Sequence, residues 1–368
     1  MSKAEKELYT ILDPELHWNK ARLTCFVKML LALFAVKTIN LTSIATAFDS
    51  DAKASSRYKR VQRFFRLFHI DFTVVARFIF KWFLLNNGKH YLIVDRTNWK
   101  LGKQDINVLM LSVAHEGIAI PLFWINLGRS GNSNTTQRIE LINKYIEAFG
   151  TDNIAGLLGD REFIGKEWFE YLLKHKIALY IRIKDNTKIP NSKGMLVPVK
   201  QLFHGMHYGE IKILRNINVW GITLSLSATL DKKGEFKIIA TDRNPENSIS
   251  IYATRQEIET LFGCLKTRGF RFEDTHVTAP DRIDRLLVLL AIGFCWAYKI
   301  GEWRHQNVAP IKLKSHGRRA VSIFRYGLDF VRDTCSKLQR RYSDFKLCLR
   351  RLKPPKNAEL PLLVEASI

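Results

Sequence analysis

Two apolar runs in this chain stop on an aspartate, and that punctuation constrains the fold more than any other feature. Tyr91 to Val94, in KHYLIVDRTNWK, form a β-prone run that breaks into polar residues directly after Asp95. In NIAGLLGDREFIG a second run ends just before Asp160, and the amphipathic stretch KEWFEYLLKHKI follows. Each acid is therefore expected at the end of a buried strand. In an open α/β sheet, ligand sites gather at such ends.

A third acid lies in YATRQEIETLFGCLK. Read as one continuous helix, Tyr252, Arg255, Glu259 and Lys266 have offsets of three, seven and fourteen residues, which puts all four on one stripe. Ile258, Leu261, Phe262 and Leu265 form the apolar face that anchors it. For this helix alone, a solvated face laced with intrahelical salt bridges explains the charges equally well. Two strand-end aspartates change the balance. Asp95, Asp160 and Glu259 together make a carboxylate triad suited to two divalent cations about 4 Å apart, with magnesium favoured by the all-oxygen ligand set. Arg255 and Lys266 suit phosphate oxygens, and Tyr252 suits stacking or a hydrogen bond to the same strand.

These residues resemble the signatures of bacterial DDE transposases of the insertion-sequence-four family. Asp95, Thr97 and Trp99 in DRTNW match the first motif, and Asp160, Arg161, Glu162 and Phe163 match a DREF-like second motif. Tyr252, Arg255, Glu259 and Lys266 match Y-x2-R-x3-E-x6-K. The likeness spans roughly residues 90 to 300. It implies an α/β fold with a ribonuclease H-like catalytic core over 89–184 and 249–303, interrupted by a β-rich insertion over 185–248. Helical regions over 1–88 and 304–368 flank this core. It also implies a DNA transposase that cuts insertion-sequence ends and joins them to target DNA in the bacterial cytoplasm. The implied cofactor is two Mg2+ ions, with Mn2+ able to substitute. The implied partners are double-stranded DNA, both terminal inverted repeats and target, and a second copy of the chain in a homodimer on DNA. Where relatives excise through a DNA hairpin, an aromatic residue of the insertion holds a flipped base. Trp220 is the candidate for that role, and a core strand tryptophan is the alternative.

Bulk charge agrees with a nucleic-acid partner: 58 Lys and Arg face 35 Asp and Glu, for a formal net charge of +23. The excess lies at the ends, with 15 basic and 7 acidic residues in 1–90 and 18 basic and 8 acidic residues in 281–368. Near the N-terminus, Lys53, Arg57, Lys59, Arg60, Arg63 and Arg66 interleave with Tyr58, Phe64 and Phe65 after a short helix over 41–48 that Thr42 or Ser43 would cap, and Arg57, Lys59, Arg60 and Arg63 are the expected DNA contacts. Residues 1 to about 85 are accordingly expected to recognise DNA, a basic face that is only solvated being the alternative. No membrane partner is expected. The opening residues lack a signal-peptide pattern, and the apolar stretch Leu286 to Tyr298 is too short to span a bilayer and reads as a buried helix. Five widely spaced cysteines with no C-x-x-C pair read as reduced thiols.

Strands DINVLMLSVA and IAIPLFWINL are expected to meet at His115 to Gly117, with the first core helix capped at Asn134 or Thr135. Glu257 points away from Glu259 around the helix, and Glu162 is expected in an exposed salt bridge with Arg161 or a lysine, support of the site from beside Asp160 being the alternative. His204 and His207 have no matching partners for zinc. Apolar positions in the C-terminal helices, Ile323, Phe324, Leu328, Phe330 and Val331, suit dimer formation, and the last fifteen residues read as loosely ordered. Two other functions stay open: a ribonuclease H-like nuclease that cuts without joining, and a DNA-binding protein whose chemistry is idle.

Overall fold

The computed structural model describes residues 1–84 and 88–355. Five helices come first: α1 (Lys3–Leu16), α2 (Lys20–Val36), α3 (Leu41–Thr46), α4 (Ala54–Leu67) and α5 (Phe72–Phe83). Then follow β1 (His90–Leu101), β2 (Gln104–His115), β3 (Ile118–Asn126), α6 (Thr135–Phe149), β4 (Ile154–Gly159), α7 (Lys166–Lys174) and β5 (Leu179–Ile183). The next strands are β6 (Lys188–Pro190), β7 (Leu196–Pro198), β8 (Ile211–Val219), β9 (Ile222–Leu230) and β10 (Phe236–Thr241). The helices α8 (Ser248–Ala253), α9 (Gln256–Leu265), α10 (Pro280–Asn307), α11 (Ile323–Ser336) and α12 (Tyr342–Leu352) complete the chain.

These elements form two compact units. One takes the described residues of 1–86, 98–107 and 261–360; the other takes those of 87–97 and 108–260. The N-terminal and C-terminal helices share the core of the first unit, where α10 packs on α2, α4, α11 and α12. The middle of α10 is buried on all sides from Leu286 to Tyr298, as its uninterrupted apolar run requires. Helix α11 lies so close to it that a Cβ on Gly327 would stand 1.8 Å from the Ala297 carbonyl oxygen, and one on Gly301 would stand 1.9 Å from that of Ile323. This crossing corrects the reading of α11 as a dimer face: Ile323, Phe324, Leu328 and Val331 are buried within the unit, and Phe330 lies under the guanidinium groups of Arg304 and Arg341. At α3 the cap is Asn40, not Thr42 or Ser43, because its side-chain oxygen accepts both of their N–H groups.

In the second unit an eight-stranded sheet runs β3-β2-β1-β4-β5-β10-β9-β8. Its first five strands carry the ribonuclease H-like order: β2 and β3 are an antiparallel hairpin, while β1, β4 and β5 run parallel. The hairpin turns at Glu116 and Gly117, both at positive φ as a two-residue turn of this hand demands. Helix α6 begins with a capping box between Asn134 and Gln137. The inserted strands extend the same sheet, since β10 pairs antiparallel with β5 and β9 with β10. Trp220 is half-buried in the β8–β9 turn rather than within a strand, and its ring meets Phe169 of α7 at 5.6 Å. All five cysteines are unpaired, and four are buried. Among the described residues, no helix is long and apolar enough to cross a membrane. The segment from 356 onward, which covers most of the loosely reading tail, lies outside the described residues.

Candidate active site

β1 and β4 are parallel neighbours whose paired registers end at Val94 and Gly159. Asp95 and Asp160 each follow immediately, so sheet hydrogen bonding alone brings these two acids together across 65 residues of chain. Each is oriented in the same way. One carboxylate oxygen accepts the N–H of the next residue, Arg96 to Asp95 at 2.8 Å and Arg161 to Asp160 at 2.7 Å. The other oxygen faces Arg255, whose terminal nitrogen lies 3.3 Å from Asp95 and 3.4 Å from Asp160. The second terminal nitrogen of Arg255 donates to Glu259 at 2.8 Å. Three carboxylates from two strand ends and a helix thus converge on one guanidinium, and Tyr252 adds a hydroxyl 3.3 Å from Asp160.

The supporting helix is not the single stripe that spacing suggested. It breaks into α8 and α9 through Thr254 and Arg255, because the Thr254 hydroxyl bonds the Ile251 carbonyl and successive N–H groups reach back only three residues. Tyr252 belongs to the first piece, Glu259 to the second, and Arg255 to the joint between them. Lys266 directly follows α9 and lies in the helical unit. There its ammonium pairs with Glu273 at 2.9 Å, donates to the Asn98 carbonyl and stands over the Trp99 ring.

Electrostatics follow from burial. Burial pushes the Asp95 carboxyl up to about 6, against the pull of Arg255 and the Arg96 N–H, while Glu162 and Asp160 push in the same direction as burial. The Tyr252 hydroxyl is held above its ordinary value by burial and by the Asp160 charge. Burial opposes the charge on Arg255, yet Asp95, Tyr252, Asp160 and Glu259 outweigh it and keep the guanidinium firmly protonated. Its Nε is buried without a hydrogen-bond partner among the described residues.

Several supporting residues were not legible as such. Glu162 is not in an exposed pair with Arg161 or a lysine. It forms a two-pronged ion pair with Arg96, both contacts at 2.6 Å, so the neighbour of Asp95 clamps a near neighbour of Asp160. Arg138 of α6 is 5% exposed and donates to the carbonyls of Ser133, Glu162 and Ile164, fixing the loop after Asp160. Phe163 folds back under Gly159, where a Cβ would sit 3.1 Å from its own. Glu257, discounted as a ligand, accepts the N–H groups of His115 and Gly117 at the hairpin turn. A charged residue one position after Asp95 and one two positions after Asp160 were the available signals for Arg96 and Glu162; for Arg138 the sequence holds none.

The four N-terminal cations also separate. Arg57 donates to the carbonyls of Thr46 and Phe48 at the end of α3, whereas Lys59, Arg60 and Arg63 are exposed on α4.

The sequence model of the family described as Transposase DDE domain matches residues 87–296, more than half of the chain. The chain belongs to the Transposase DDE domain family. It is a DNA transposase, an enzyme that acts on DNA. Among solved structures, the chain is similar to a piggyBac transposase in a synaptic complex with hairpin DNA, at 12% identity and a TM-score of 0.46, covering 100% of this chain and 86% of that one. No curated protein matches the chain.

Proposed function

We propose that this transposase cuts the ends of an insertion sequence of the insertion-sequence-four type and joins them to target DNA, using Asp95, Asp160 and Glu259 as its metal-binding acids. The observation that carries the proposal is the convergence of those three carboxylates on the Arg255 guanidinium within 3.4 Å. Two of the three are mostly shielded from water, at 13% and 29% side-chain exposure. A cluster of acids so placed needs compensating positive charge, and the all-oxygen donor set suits two magnesium ions, or manganese in their place. Bound there, such cations supply activation of the attacking oxygen and stabilisation of the leaving oxygen in phosphodiester exchange.

The chain's own groups have distinct parts. The Arg96 and Arg161 N–H groups hold one oxygen of each aspartate and leave the other facing the cluster. Tyr252 steadies Asp160, and Arg255 neutralises the acids before DNA is present, with a phosphate oxygen as its alternative partner. Arg161, next to Asp160, lines a cavity of ≈ 390 Å³ together with Arg182, Lys184 and Lys200, and Asp185 and Glu235 stand in the same wall, Asp185 paired with Lys200. Lys266 is assigned a phosphate contact from its place in the signature. The N-terminal helices, whose exposed cations include Lys59, Arg60 and Arg63, are assigned to the terminal inverted repeats, and the working form on DNA is a homodimer.

The test incubates the protein with magnesium and a labelled fragment carrying the two ends of its element, then resolves nicked, hairpin and joined products on a denaturing gel. Cleavage at the ends followed by joined product is expected. Cleavage with precut ends never joined would reassign the chain to hydrolysis alone. Asp95→Ala, Asp160→Ala and Glu259→Ala should each abolish both steps and leave end binding near wild type. Full strand transfer by Asp95→Ala overturns the assignment.

A further inference from the structure

Helix α4 divides its cations between two faces. Val61, Phe64 and Phe65 are buried. Arg57 is spent on the carbonyls at the end of α3, and Arg60 lies against the Cys25 thiol of α2. Lys59, Arg63 and Arg66, spaced four and three residues apart, occupy another stripe and are exposed. With Gln62 and Arg282 from the first turn of α10 they line a cavity of ≈ 330 Å³ that has no carboxylate in its wall. Gln62 and Arg282 also line an adjoining cavity of ≈ 220 Å³, where Thr42, Tyr58, His276 and Thr278 add polar and aromatic groups. The two cavities share Gln62 and Arg282 in their walls, and together they form a groove between α4 and the start of α10.

The walls of this groove are pinned. Arg285 of α10 donates to the carbonyls of Phe65 and Arg66 at the C-terminal end of α4, and it also pairs with Asp281 at 2.9 Å. That pairing turns the acid adjacent to Arg282 toward Arg285. What faces the groove is four cations and neutral groups.

We infer that this groove binds the sugar-phosphate backbone of double-stranded DNA, with Lys59, Arg63, Arg66 and Arg282 as the phosphate contacts. The inference rests on the reading of the N-terminal helices as DNA-recognising and refines it, because it replaces Arg57 and Arg60 by Arg66 and Arg282. Charge complementarity identifies the occupant. From Lys59 to Arg66 the helix advances about 10 Å, the rise of about three base-pair steps, so a polyanion with regularly spaced charges meets several cations at once. A single small anion would leave most of them unpaired. Its polar lining offers hydrogen bonds to phosphate and sugar without demanding a base sequence.

The test measures binding of a fluorescein-labelled duplex of arbitrary sequence by anisotropy as salt rises. Each lost phosphate contact lowers the slope of log affinity against log salt by about 0.9. Arg66→Gln/Arg282→Gln should reduce the slope by about two and weaken binding roughly tenfold or more. Arg60→Gln should change the slope far less. Arg66→Gln alone, at an exposed position, should reduce it by about one and keeps the test decisive if the double variant fails to fold. An unchanged slope in folded Arg66→Gln, an equal loss in Arg60→Gln, or competition by single-stranded DNA as strong as by duplex overturns the inference. End cleavage by the groove variants at saturating protein would leave the triad reading standing. Strand transfer by Asp95→Ala would sink the triad reading without touching the groove.

Discussion

Arg255 and Asp95 meet at 3.3 Å through the guanidinium nitrogen that also faces Asp160, so the acid cluster holds a positive charge of its own. Even so, burial dominates at Asp95 and raises its carboxyl from 3.8 to about 6. A raised carboxyl favours the folded state fully below its unfolded value and loses that contribution as pH rises through about 6. Asp95→Asn should therefore stabilise the cation-free protein by about 2–3 kcal/mol at pH 7.5, and the gain should vanish below pH ~4. Chemical denaturation at both pH values, with chelator present, measures it. Equal stabilisation at both would show that Asp95 titrates normally.

Removing the shared cation has the opposite sign. Arg255→Gln leaves Asp95 and Asp160 facing each other uncompensated, and the cost without divalent ions should be about 2–3 kcal/mol, since the more exposed Glu259 contributes little. Magnesium should then raise the melting temperature of the variant more than that of the wild type. A smaller rise in the variant, measured by calorimetry across a magnesium series, would show that Arg255 and the cations do not share one site.

The Arg96–Glu162 clamp joins the segments that carry Asp95 and Asp160. Both side chains are largely buried, at 15% and 21% exposure, and both contacts are short. Glu162→Gln should lower stability by about 1–3 kcal/mol and weaken manganese binding measured by calorimetry, while Arg96→Lys should restore only part of what Arg96→Gln loses because an ammonium makes no fork. Wild-type manganese affinity in Glu162→Gln would separate the clamp from the acids.

Glu257 supports the β2–β3 hairpin from α9. Its two acceptor bonds to His115 and Gly117 should be worth about 1–2 kcal/mol together, and Glu257→Ala should speed amide exchange at those two positions more than elsewhere in the sheet. Exchange followed by NMR reads this directly; uniform acceleration over the sheet would assign Glu257 to global stability.

In the helical unit, the α10–α11 crossing admits no side chain at Gly301 or Gly327. Gly327→Ala should cost about 3 kcal/mol, although alanine is the better helix former at an open position. An unchanged melting temperature would mean that the helices part easily.

Much of this protein was readable as pattern. The runs ending at Asp95 and Asp160 gave two strand ends, and the spacing from Tyr252 to Lys266 marked the third element of the site, because periodicity and residue type are local properties. The break between α8 and α9 was not readable, since it depends on which carbonyl the Thr254 hydroxyl takes. Nor was the burial of the α11 apolar face: an amphipathic stripe looks the same whether it meets its own chain or another copy.

By itself the sequence determined the acids, their strand-end and helix settings, and the excess of basic charge. Only tertiary structure decided that Arg255 gathers the three carboxylates, that Arg96 reaches Glu162, and that Arg282 joins the cations of α4. Those pairings link positions 4 to 223 residues apart, and most are fixed by sheet register and helix packing rather than by spacing along the chain.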